Sequence, residues 1–147
     1  MKQVILSIML LFGCTLFAGN SNVSTETSGW DFVGAPFSVA YFSGLHIIFD
    51  SNNTPYTVYQ DNDTKITVMK FNKATSKWEV VGKPGFTEGV PGFVLAFDSK
   101  NVPYLAYTGK GLIPEVMKFN ETTKTWESLG KLDDEGTLQL SFAIDSN

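Results

Sequence analysis

Few side chains in this 147-residue sequence could do chemistry. His46 is the only histidine and Cys14 the only cysteine. His46 sits in the apolar run Leu45-His46-Ile47-Ile48-Phe49, and Val94 stands at the matching position 48 residues on. It therefore reads as a packed or hydrogen-bonded core histidine, not as a base or a ligand. A zinc site needs several His or Cys ligands, and this sequence does not have them. No Ser-His-Asp set can be assembled either. Asp61-Asn62-Asp63-Thr64 has the Asp-x-Asp opening of a calcium loop, but no Gly and Glu follow at the required positions. The second copy has Thr108-Gly109-Lys110-Gly111 there, so a solvated turn is expected. Gly111 to Pro114 is a turn and not a phosphate loop, because no Lys-Ser/Thr follows it. Asp133-Asp134-Glu135 reads as a solvated surface run. Asp50, Asp98 and Asp145 recur as turn formers. No catalytic, cofactor-binding or metal-binding residue is assigned, and no cofactor is expected.

The elements that carry these residues repeat. Trp30, Trp78 and Trp126 are spaced 48 residues apart, and each opens a short pattern ending in Gly34, Gly82 or Gly130. Phe49-Asp50-Ser51 returns as Phe97-Asp98-Ser99, Pro55-Tyr56 as Pro103-Tyr104, and Tyr59 as Tyr107. Val68-Met69-Lys70-Phe71-Asn72 returns unchanged as Val116-Met117-Lys118-Phe119-Asn120. A third start, Phe142-Ala143-Ile144-Asp145-Ser146-Asn147, comes one residue early. Compositional bias would not keep register in this way, so the chain is read as a repeat protein.

Each unit predicts four strands. Leu45–Phe49 is a short apolar, β-branched run, expected to be buried on both faces. The cluster 50–54 turns the chain, since Asx side chains bond nearby amides and tolerate left-handed backbone. Pro55 opens the second strand, where a missing N–H costs least. Asp61–Thr64 forms the second turn. Ile66–Phe71 alternates with period two, and Lys73–Lys77 turns the chain again. Trp78–Val81 is the fourth strand, stopped by Gly82. A loop of about ten residues, Lys83 to Gly92, leads to the next unit. A lone four-stranded sheet exposes two apolar faces, so such units must stack, with the Trp residues packing between neighbours.

Composition bounds the rest. The formal charge is −4, and every basic residue is Lys. An acidic chain without Arg is poorly suited to nucleic acid or to anionic lipid. Residues 1–19 have the pattern of a secretory signal peptide: Lys2, the apolar stretch Val4–Phe12, then small Ala18 and Gly19. The stretch is short for a transmembrane span. Residues 20–29 form a polar linker. Localisation is expected to be extracellular or at the cell surface. In the alternative reading, Leu11-Phe12-Gly13-Cys14 acts as a lipobox and Cys14 carries the anchor.

The succession of an apolar-Phe-Asp-Ser-Asn strand, Pro-Tyr, Val-Met-Lys-Phe-Asn, then Trp and Gly resembles bacterial extracellular β-propeller repeats. These are similar to Kelch and galactose-oxidase blades in period and strand number. The resemblance implies an all-β fold over residues 30–147: an incomplete propeller of two full four-stranded antiparallel blades, a leading strand at Trp30–Val33 and a trailing strand at Leu138–Ile144. The Kelch Gly-Gly doublet, the sialidase Asp-box and the WD40 Trp-Asp ending are absent, so no functional residue is carried over. The expected function is a non-catalytic binding module for protein or glycan, a fragment of a longer protein. The alternative is the truncated part of a propeller-fold glycoside hydrolase or lyase. Propellers close with about four to eight blades, so the open edges invite self-association.

Overall fold

The computed structural model describes residues 3–5, 30–32, 43–61, 63–132, 136 and 140–145. The fold is all-β. Eleven strands and one 3₁₀ turn occur among the described residues: β1 (Gln3–Ile5), β2 (Trp30–Phe32), β3 (Ser43–Phe49), β4 (Pro55–Gln60), β5 (Lys65–Asn72), β6 (Lys77–Val80), β7 (Thr87–Glu88), β8 (Val90–Phe97), β9 (Pro103–Thr108), the turn Lys110–Leu112, β10 (Pro114–Asn120) and β11 (Thr125–Lys131). No helix among them is long and apolar enough to cross a membrane.

Two antiparallel meanders dominate. The first runs β3-β4-β5-β6, and the second β8-β9-β10-β11. Both follow the 48-residue repeat. Tyr56 pairs with Lys70, and Lys70 with Glu79; Tyr104 pairs with Lys118, and Lys118 with Glu127. A register that survives the repeat is what keeps the same side chains on the same face, since a slip of one residue would turn each strand over.

The repeated polar residues hold the turns. Asp50 Oδ1 accepts hydrogen bonds from the amides of Asn52 (2.9 Å) and Thr54 (2.8 Å). Asp98 Oδ1 does the same for Lys100 and Val102, both at 2.9 Å. Each turn carries an Asn, Asn53 or Asn101, in the left-handed region, a conformation this residue tolerates. The next hairpins are held by Asn72 and Asn120. Their Oδ1 atoms take amides two and three residues on, and their Nδ2 groups donate to Glu79 and Glu127 at 2.7 Å. This bond explains why an acid follows Trp78 and Trp126.

The sheets pack face to face. Tyr56, Val58, Ile66, Val68 and Val81 of the first meet Phe93, Leu95, Leu105, Tyr107, Phe119 and Trp126 of the second in one buried cluster. Full burial of each aliphatic side chain contributes about 1.5–3 kcal/mol. Trp126 spans the junction. Its ring stacks on Phe86, with centroids 4.8 Å apart, and its indole N–H donates to the Val81 carbonyl at 2.8 Å. Phe97 meets Tyr56 edge-on at 4.7 Å. Ser51 donates from its amide and its hydroxyl to Asn101 Oδ1. Burial pushes the Tyr56 phenol up to about 12, and the Asp50 and Glu121 carboxylates add to the shift.

Several expectations are corrected. Leu45–Phe49 is not buried on both faces: Ile47 is 42% and Phe49 48% exposed, because β3 is a sheet edge and only its His46/Ile48 side turns toward the second sheet. His46 is exposed and meets Phe93 edge-on at 5.3 Å, so it is not a core histidine. The loop after Gly82 is shorter than its sequence suggests. Thr87–Glu88 adds a fifth strand to the first sheet by pairing with Lys65 and Ile66, and β8 begins at Val90. The leading Trp30–Phe32 strand pairs in parallel with Gln3–Ile5 rather than with either meander. The trailing strand expected at Leu138–Ile144 has no ladder at residues 140–145, while residues 138 and 139 lie outside the described set. Burial still alternates there: Leu140, Phe142 and Ile144 are half-buried, and Ser141, Ala143 and Asp145 are exposed. That is the pattern of an extended segment with one side turned to the rest of the protein.

Candidate functional site

The two ends of the sheet pair differ. One end carries the Asp50, Asp98, Asn72 and Asn120 turns, whose residues and hydrogen bonds repeat. The other end carries Asp61–Thr64, Gly109–Ile113 and the connection from Val81 to Gly89; its two turns share their closing hydrogen bonds and differ in side chains. The two turns are closed by the same two backbone hydrogen bonds. The Asp61 amide donates to Lys65 O and the Thr64 amide to Asp61 O; the Gly109 amide donates to Ile113 O and the Leu112 amide to Gly109 O. Thr64 and Leu112 both have positive φ, +60° and +67°. Leucine has no side-chain polar group to offset that conformation, which marks the second turn as locally strained.

The chemistry of the turns diverges. Asp61 Oδ1 takes the amides of Asp63 (3.0 Å) and Lys65 (2.9 Å), as Asp50 and Asp98 do in their turns. Gly109 cannot. A Cβ built on it would lie 2.9 Å from Glu115 Oε1, so the Glu115 carboxylate stands where an aspartate would go. Glu115 is held by the Tyr107 hydroxyl, which donates to Oε2 at 2.8 Å, and Thr87 Oγ1 donates to that hydroxyl at 3.0 Å. Burial pushes the Tyr107 phenol up; the Thr87 bond lowers it, while Glu115 raises it. Lys65 pairs with Glu88 on β7, which holds that carboxyl below the usual range. Gln60 is buried and donates from Nε2 to the carbonyls of Thr64 and Gly89, fastening the connection to the first sheet.

This yields a sharp expectation. Gly109→Asp restores the Asp motif yet destabilises the fold by about 1–3 kcal/mol, because it sets a carboxylate against Glu115. In the Glu115→Thr background, which copies Thr67 of the first unit, the same substitution is neutral or stabilising. Urea denaturation of the four proteins reads the coupling; equal effects in both backgrounds would contradict it.

The carboxylates at this end serve separate partners: Asp61 its own turn, Glu88 the Lys65 ammonium, Glu115 the Tyr107 hydroxyl. No group of three or more His, Cys, Asp or Glu side chains able to hold a metal occurs among the described residues. A separate shallow hollow of about 320 Å³, lined by Val102, Lys118, Phe119, Asn120, Glu121 and Glu127, lies at the repeated end. Lys118 there sits 5.0 Å from the Tyr104 ring centroid, a contact between cation and ring face. Cys14 and Asp133-Asp134-Glu135 lie outside the described residues. The sequence did not point to Gln60, Thr87 or Glu115. The only signal for Glu115 was the loss of Asp at position 109, which breaks the turn rule.

Fold and site together define an all-β protein of two face-to-face antiparallel sheets with a 48-residue internal repeat. The chain matches no family model, no curated protein and no solved structure.

Proposed function

We propose that the chain is an exported, non-catalytic module of the propeller-repeat kind, which binds protein or glycan through the end carrying Asp61–Thr64, the Val81–Gly89 connection and Gly109–Ile113. The observation that carries this reading is the asymmetry of the two ends. Side chains repeat at one end, where they hold turns, and diverge at the other, in turns closed by the same two backbone hydrogen bonds. Loops mounted on a rigid sheet are where binding residues concentrate. The separate engagement of Asp61, Glu88 and Glu115 favours binding over hydrolysis, which needs two carboxyl groups flanking one bond.

Export rests on Lys2, the Val4–Phe12 stretch and the small residues Ala18 and Gly19. Cleavage near Gly19 would remove Gln3–Ile5, the partner of Trp30–Phe32. The test is a glycan and surface-protein array probed with the wild type, with Asp63→Lys and Lys110→Glu at the divergent end, and with Lys100→Glu at the repeated end. The first two variants are expected to lose about tenfold or more in signal, while Lys100→Glu keeps it. Loss only in Lys100→Glu, or release of reducing sugar from an arrayed glycan, would contradict the reading.

A further inference from the structure

We propose that the hollow at the repeated end of the second sheet is a binding site for a zwitterion, a free α-amino acid with an apolar side chain. Lys118 and Glu127 stand directly opposite each other on β10 and β11. Opposite charges in that position stabilise a sheet by pairing. Here each is drawn to a different partner. The Lys118 ammonium lies 5.0 Å from the centroid of the Tyr104 ring, and Glu127 Oε1 accepts from Asn120 Nδ2 at 2.7 Å. The two form no ion pair with each other, unlike Lys65 and Glu88 or Lys124 and Glu121. Both charges border a hollow of about 320 Å³ whose apolar lining is Val102 and Phe119. A cation and an anion held apart around such a space match a ligand that carries the same two charges in reverse. The ligand's carboxylate meets Lys118, its ammonium meets the second oxygen of Glu127, and its side chain lies toward Val102 and Phe119.

The first unit shows what the second has changed. Lys70, Asn72 and Glu79 return as Lys118, Asn120 and Glu127, but Lys73 and Thr54 are replaced by Glu121 and Val102. Lys73 Nζ donates to the Asn52 carbonyl at 3.2 Å and ties two turns together. Glu121 has no proton to give the equivalent Lys100 carbonyl, and it pairs with Lys124 at 2.8 Å instead. Thr75 donates to Glu79 at 3.4 Å, whereas its counterpart Thr123 is turned to Thr125. Of the two side-chain donors to Glu79, only the Asn therefore has a counterpart on Glu127. The second unit thus loses a clasp between turns, gains a carboxylate that favours an ammonium nearby, and gains an apolar residue in place of Thr54. The contact of an exposed lysine with a ring face is weak, so a ligand carboxylate can take the Lys118 ammonium.

The test is an NMR titration of the isotope-labelled full chain with L-leucine, read at the Val102 methyls and the Asn120 side-chain amide. Saturable shifts with a dissociation constant on the order of 1 mM are expected. Isovalerate and isopentylamine keep the apolar chain and one charge each. Each should bind about tenfold more weakly than leucine, since it forgoes one charge-assisted contact. Lys118→Gln and Glu127→Gln should each weaken leucine binding about tenfold. Glu127→Gln keeps an oxygen for the Asn120 donor, so the turn stands. Glu121→Lys, which copies Lys73 and restores a donor toward the Lys100 carbonyl, should also lose the site. Lys70→Gln, at the first-unit counterpart, should leave binding unchanged. Circular dichroism checks that the variants are folded, and the comparison of the three ligands on the wild type needs no variant. The absence of a saturable shift with L-leucine, or equal binding of isovalerate or isopentylamine, would overturn the proposal. So would undiminished binding by Lys118→Gln and Glu127→Gln, or an equal loss in Lys70→Gln and Lys118→Gln.

Discussion

Trp126→Ala is expected to lower the unfolding free energy by about 3–5 kcal/mol, a large part of the stability of a domain this size. Three losses combine. The ring is 9% exposed and fills the junction between the sheets, so its removal leaves a cavity. It stacks nearly parallel on Phe86, with 7° between the ring planes, and packs against Phe119. It also supplies the N–H that satisfies the Val81 carbonyl. Trp126→Phe keeps much of the packing and loses the hydrogen bond, so it should cost about 1–2 kcal/mol. Urea denaturation with a fluorescence and a circular-dichroism readout separates the two. A wild-type midpoint for Trp126→Ala would mean that the indole does not hold the sheets together.

Gly82→Val should cost about 3 kcal/mol or more, and Gly130→Val, at the equivalent position, clearly less. Gly82 has φ of +85°, which β-branched residues adopt only under strain. A Cβ there would lie 3.2 Å from both Phe119 Cε2 and Trp126 Cδ1, and 3.3 Å from the Lys124 carbonyl oxygen. Gly130 also has positive φ, +108°, but nothing lies within 4 Å of its Cβ position. Backbone strain is therefore common to both sites, and the clash belongs to Gly82 alone. Strain contributes about 1–3 kcal/mol and overpacking about 1–3 kcal/mol. The difference in urea midpoint between the two variants measures how tightly the second sheet seats on the first. Equal midpoints would contradict the packing.

Much of the fold was legible because the repeat tied local signals together. Asp50 and Asp98, Asn72 and Asn120, and Pro55 and Pro103 each act through contacts a few residues away, so their types announce the turns and strand starts directly. The inter-sheet role of Trp126 was legible from spacing, since a residue kept at one offset in a stacked array packs between neighbours. What stayed hidden depends on partners distant in sequence. β7 is two residues long, Thr87–Glu88, and exists because Lys65 and Ile66 offer an open edge. The exposure of Ile47 and Phe49 depends on which side of β3 meets the second sheet, and an apolar run does not show this. The Glu115–Tyr107–Thr87 chain joins residues of three strands, and only the odd Gly109 hinted at it. The pairing of Gln3–Ile5 with Trp30–Phe32 could not be read from a segment patterned as a signal peptide.

Two 48-residue units stack face to face, with the Tyr56, Val58 and Val68 side of the first against the Leu95, Leu105 and Tyr107 side of the second. Nuclear Overhauser effects in isotope-labelled protein test this packing most directly. Cross-peaks are expected from the Trp126 indole N–H to Val81 and Gly82, and from the Phe97 ring to the Tyr56 ring, which couple residues about 40–45 positions apart in the chain. Cross-peaks from the Trp126 indole and the Phe97 ring confined to residues 90–132 would show two sheets that do not stack in this register and would contradict the face-to-face packing.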